Sequence, residues 1–144
     1  MIFKRWEDAT ADGEHTAIIE NVEPYIPGAF FRRELPCLLA VIAKIETPLD
    51  ALVVDGYVQL NDKEGLGQHL YERLSRRVPV IGVAKTRFQG ASGAEVLRGS
   101  SRSPLYVTAV GIDRGEAATC IMRMHGSHRI PTLLKRADRL ARTG

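Results

Sequence analysis

Two short apolar runs separated by a helical stretch constrain this chain most. Residues 51–54 (Ala-Leu-Val-Val) and 79–84 (Pro-Val-Ile-Gly-Val-Ala) carry no charge and have the length of buried strands. Between them Leu66, Leu70 and Leu74 recur at four-residue spacing, the stripe of an amphipathic helix. Arg73, Arg76 and Arg77 suit the C-terminal end of that helix dipole. Strand, helix and strand of this length predict a right-handed βαβ unit with parallel strands. Upstream, Leu35, Leu38, Leu39, Ile42 and Ile45 form the stripe of another helix. Pro36 is expected in its first turn, where a missing N–H costs nothing, so Glu34 is expected at or just before the helix start.

The flanks fill in around this unit. Residues 94–98 and 105–110 predict two further strands, joined as a hairpin across 99–104, and residues 116–124 and 133–142 predict two closing helices. At the N-terminus, residues 1–6 read as the end of a strand, 8–14 as a turn and 15–22 as the next strand, so a hairpin is expected there. The class is α/β with a mixed sheet flanked by helices. At 144 residues the chain fits one domain, 1–144, with a real core.

The net charge of +3 suits a polyanionic partner without requiring one. The two cysteines, Cys37 and Cys120, match no metal-ligand spacing and are expected as reduced thiols of a cytoplasmic protein. No run approaches the ~20 apolar residues that cross a bilayer, and the first residues lack the apolar centre of a signal peptide. A cytoplasmic location, no membrane partner and a monomeric state are therefore the expectations.

The predicted topology brings distant residues to one place. Asp55 ends the first parallel strand and Lys85 follows the second, and open α/β sheets bind ligands along that edge. The helix beginning near Glu34 returns into the Asp55 strand through a short loop, which sets its N-terminus at the same edge. Two acids and a lysine there suit phosphodiester hydrolysis. Mg²⁺ prefers hard oxygen ligands, and one or two carboxylates plus substrate phosphate can hold it. Asp55 alone has a plainer reading, because Asp-Gly is a turn dipeptide.

Residues 23–34 place Tyr25 between Pro24 and Pro27 on a stiff loop. On spacing alone packing is the favoured role for Tyr25, and a wedge that unstacks a base is the other. His125 and His128 read as polar surface histidines rather than a metal pair. Arg32, Arg33, Arg98, Arg102, Arg129 and Arg136 are candidates for phosphate contact, most of them expected as solvated charges.

Six segments in order resemble the endonuclease V family: Pro24-Tyr25-Ile26-Pro27-Gly28, Arg33-Glu34-Leu35-Pro36, Val54-Asp55-Gly56, Gly65-Leu66-Gly67, the 79–85 run ending in Lys85, and Arg129-Ile130-Pro131 followed by Ala137-Asp138. The resemblance implies an RNase H-like fold and Mg²⁺-dependent cleavage, with Mn²⁺ able to substitute, of DNA or RNA 3′ to deaminated bases such as inosine. It implies Glu34, Asp55 and Asp138 as metal ligands and Lys85 at the scissile phosphate. Tyr25, Ile26, Pro27 and Gly28 would bind nucleic acid, Tyr25 within a strand-separating wedge and Gly28 shaping the pocket for the flipped base. Residues 57–63 depart from the family, which has a glycine and a His-Pro pair after its Val-Asp-Gly. The family's first strand, bearing a metal-ligand aspartate, has no counterpart, so an N-terminally truncated version of the fold is expected. A sheet left open in this way invites self-association. The alternative to an enzyme is a module that binds inosine-containing nucleic acid without cutting it.

Overall fold

The structure, a computed structural model, describes residues 1–21, 24, 26, 27, 29, 31–61 and 63–143. Along the chain its elements are α1 (Phe31–Ile42), β1 (Leu52–Asp55), β2 (Gln59–Leu60), β3 (Lys63–Glu64), α2 (Leu66–Arg73), β4 (Val80–Ala84), β5 (Ala94–Val96), β6 (Leu105–Val110), α3 (Arg114–Arg123) and α4 (Thr132–Thr143). The predicted βαβ unit forms. β1 and β4 run parallel, with Leu52 opposite Val80 and Asp55 opposite Val83. β6 lies antiparallel to β4 and β5 antiparallel to β6, so the sheet order is β1-β4-β6-β5. β1 is an edge strand whose outer side has no ladder partner among the described residues.

Strand alternation divides the core into two layers. Ile81 and Val83 of β4, with Leu105 and Val107 of β6, face Ala117 and Ile121 of α3, Met124, and Leu133 of α4. Val80 and Val54 point the other way and pack with Leu35 of α1, Leu70 of α2, and Val58. Leu70 has no solvent exposure, so Leu70→Ala removes its contacts and opens a void beneath α2. That substitution is expected to lower unfolding free energy by about 3 kcal/mol in urea denaturation, within the range for buried leucines.

The segment after β1 crosses directly over β4. A Cβ on Gly82 would stand 2.5 Å from the Gly56 carbonyl oxygen and 2.7 Å from Thr108 Oγ1, so only glycine admits this crossing. The Val58 N–H donates to Thr108 Oγ1 at 2.9 Å, which satisfies a buried amide that the sheet ladder cannot reach.

Three expectations change. The N-terminal hairpin is reduced to one bridge, Ile2 with Gly13, and residues 1–6 and 15–21 form no strand. The reason is tertiary. Phe3 and Trp6 meet edge-on at 5.7 Å and pack against the α3–α4 layer, while Glu7 pairs with Arg123 and Glu14 with Arg136. Residues 11–20 run alternately half-buried and exposed, yet among the described residues the Ile2–Gly13 bridge is the one ladder contact this stretch makes.

Helix α1 starts at Phe31, which puts Glu34 fourth and Pro36 sixth rather than in the first turn. The Phe31 ring stacks on His69 of α2 at 3.7 Å and 17°, an anchor that extends the helix upstream. Pro36 then forfeits the bond to the Arg32 carbonyl, and its ring lies exposed. Finally, β2 and β3 pair antiparallel, Gln59 opposite Glu64 and Leu60 opposite Lys63, which the apolar pattern does not announce.

Candidate functional site

The parallel pair sets the geometry. The C-terminal ends of β1 and β4 lie side by side, so Asp55, the last residue of β1, and Lys85, the first after β4, stand at one rim of the sheet. Both are exposed. The ladder continues one step past Asp55, with the Gly56 N–H donating to the Val83 carbonyl at 3.0 Å. Gly56 then turns the chain with φ +110°, a conformation that favours glycine.

Glu34 lies in α1, on the layer that packs against one face of the sheet. Its neighbour Leu35 is buried in one cluster with Val54, the neighbour of Asp55, so the two acids branch from chain positions locked together by packing. They do so from different faces. Asp55 shares the parity of Val53, which packs toward α3 and α4, while Leu35 lies in the α1–α2 layer. No ion pair with a described residue engages Glu34, Asp55 or Lys85.

Asp138 is placed differently. It lies in α4 and pairs with Arg142 at 3.0 Å, one helical turn on. Among the described residues no three His, Cys, Asp or Glu side chains gather closely enough to hold a metal ion, so Glu34, Asp55 and Asp138 do not form a ready-made cage. The carboxylate oxygens of Glu34 and Asp55 still have the chemistry of a hard-cation site. An Mg²⁺-type ion takes only one or two carboxylates and completes its shell with water and phosphate oxygen.

Within residues 23–30, Tyr25 and Gly28 lie outside the described residues. Ile26 is 45% exposed and Pro27 is exposed, and the Ala29 N–H donates to the Ile26 carbonyl at 3.0 Å to close a turn.

Several cations serve structure instead. Arg98 is 6% exposed and donates to the carbonyls of Met124, Gly126, His128 and Arg129. Arg129 donates to the carbonyls of Lys85, Ser103 and Pro104. Arg136 is spent on Glu14. Arg98 and Arg129 are thereby committed to backbone carbonyls, whereas Arg32, Arg33 and Arg102 are exposed. His125 is exposed, with Nδ1 3.0 Å from Thr132 Oγ1, and His128 is exposed.

The sequence does not single out Tyr57. It follows Asp55 by two residues, is 9% exposed, donates its hydroxyl proton to the Thr86 carbonyl at 2.9 Å and accepts from the Phe88 N–H at 3.1 Å. Both partners lie about thirty residues away along the chain, so no local pattern signals the contact.

A family model described as Endonuclease V matches residues 1–109. The endonuclease V of Rhodospirillum centenum is 32% identical over 140 residues, covering 82% of this chain and 58% of the relative. That of Streptomyces avermitilis is 33% identical over 159 residues, covering 93% and 68%. The crystal structure of the S. avermitilis endonuclease V superposes with a TM-score of 0.67 at 29% identity, over 83% of this chain and 61% of that one. A Ciona intestinalis endonuclease V, solved with a 23mer DNA containing an inosine followed by a ribo-adenosine, shares the fold at a TM-score of 0.64 and 19% identity over 84% of this chain and 67% of that one. The chain therefore spans about three-fifths to two-thirds of the length of the proteins it matches.

Proposed function

This chain belongs to the endonuclease V family, and on that premise we propose that it is a metal-dependent endonuclease cleaving DNA or RNA 3′ to a deaminated base such as inosine. The observation that supports the reading is that Asp55 and Lys85 stand at adjacent ends of two parallel strands, with Leu35, the neighbour of Glu34, packed on Val54. Two acids and a cation supply what a phosphodiester needs: oxygen ligands for a divalent ion and a positive charge for the phosphate.

Glu34 and Asp55 are the residues that would hold the ion, Mg²⁺ or Mn²⁺ by this reading, and Asp138 is the third acid that the family resemblance assigns. The chemistry an ion held there would supply is a water of lowered pKa and compensation of charge on the leaving oxygen. The ammonium of Lys85 binds a non-bridging phosphate oxygen as a point charge. The exposed Ile26 and Pro27 are assigned to contact a base that has left the stack, a role that the family resemblance gives to Tyr25 and Gly28 as well.

The test uses single-stranded DNA and RNA oligonucleotides that differ by one inosine. Cleavage 3′ to the inosine with Mg²⁺, lost on adding EDTA, is the expected result. Absence of cleavage with either Mg²⁺ or Mn²⁺ overturns it. One observation favours a second reading: the three candidate acids do not gather into a single cluster among the described residues. A chain that retains the inosine strand at low salt but does not cut it is the inosine-binding module rather than the enzyme.

A further inference from the structure

The segment from Lys85 to Phe88 is exposed along its whole length, yet its backbone is gripped at three points. The Arg129 guanidinium donates to the Lys85 carbonyl, and the same side chain holds Ser103 at 3.0 Å and Pro104 at 2.8 Å. The Tyr57 hydroxyl binds the next two groups, the Thr86 carbonyl at 2.9 Å and the Phe88 N–H at 3.1 Å. The Tyr57 ring is itself buried, and Phe88 lies over it with ring centres 6.3 Å apart. A solvent-facing loop has ordinarily no such restraint and samples many conformations.

The origin of the grip matters. Tyr57 lies two residues beyond Asp55, past the Gly56 turn, so the piece of chain that carries the acid also holds the loop that carries the lysine. One hydroxyl therefore ties the end of β1 to the segment after β4, where the sheet ladder has already stopped. We infer that Tyr57 and Arg129 are positioning residues that fix Lys85 relative to Asp55 before substrate arrives; this rests on the proposed cleavage function. Neither side chain touches the phosphate. Their work is to have lost the loop's conformational freedom in advance, so that substrate does not have to order it.

Tyr57→Phe removes the hydroxyl and keeps the buried ring. Under single-turnover conditions its nicking rate on an inosine oligonucleotide is expected to fall about tenfold, with affinity changed less than about threefold, because misplacement acts on the chemical step. In a Lys85→Ala background the same change is expected to have no further effect, the non-additivity of a residue that acts through another. Arg129→Lys, which keeps charge but loses the planar fork, is expected to fall in the same direction. An unaltered rate in Tyr57→Phe overturns the inference, as does an equal further loss in the Lys85→Ala background. If the wild type does not nick at all, the functional reading fails, and the grip is then judged by hydrogen exchange at the Phe88 amide. Exchange about tenfold faster in Tyr57→Phe supports it, and unchanged exchange overturns it.

Discussion

Asp55→Asn is expected to reduce cleavage of an inosine-containing oligonucleotide roughly a thousandfold, a loss of about 4 kcal/mol in barrier lowering. The replacement keeps the shape of the side chain and removes its charge. Asp55 is exposed at the end of an edge strand and pairs with no described cation, so the fold has little to lose. The melting temperature is expected to stay close to that of wild type, in keeping with effects of about 0.5 kcal/mol or less at exposed positions. Nicking by the mutant at the wild-type rate removes Asp55 from the site. Asp138→Asn is the informative companion. It breaks an exposed pair with Arg142, which is worth at most about 1 kcal/mol to stability. A large loss of cleavage in that variant can come only from a role at the site, because stability does not supply it.

What the sequence discloses and what it hides divide along a physical line. The βαβ unit is legible because each of its parts is local. The runs at 51–54 and 79–84 are uncharged, and Leu66 and Leu70 share one face of α2. Topology then carries Asp55 and Lys85 to one rim without further information. The features that escape depend on partners far along the chain. The start of α1 shifts upstream because Phe31 finds His69, 38 positions on. The N-terminal strands do not form because a strand needs a ladder partner, and Phe3, Trp6 and Glu7 are committed to the α3–α4 side instead. Strands of two residues, like β2 and β3, are too short to leave a period. The arginines mislead most. As a residue type Arg98 and Arg129 point to phosphate, but their acceptors are backbone carbonyls, which carry no signature in the sequence.

Arg98 matches the buried leucine Leu70 in its expected effect on stability. Its guanidinium leaves the end of β5 and enters the turn between α3 and α4, where Met124 accepts at 2.5 Å, His128 at 2.8 Å, Gly126 at 3.1 Å and Arg129 at 3.3 Å. Burial pushes its pKa down from the usual range, and no carboxylate pairs with it among the described residues. The described partners of this charge are peptide dipoles. Charge-assisted bonds contribute about 1.5–3 kcal/mol each, and the cost of desolvating the cation opposes them. Arg98→Met keeps the length of the stem but strands four carbonyl oxygens that converge on one point. The expected loss is about 3 kcal/mol in urea denaturation, less than the bonds add up to because the desolvation cost disappears with the charge. Arg98→Lys restores a cation with one donor group, so recovery of about half that loss is expected. The consequence extends to the rim of the sheet, because the turn that Arg98 holds also carries Arg129, and Arg129 grips the Lys85 carbonyl. A loss below about 1 kcal/mol in Arg98→Met would mean that water replaces the guanidinium freely and that this turn does not depend on it.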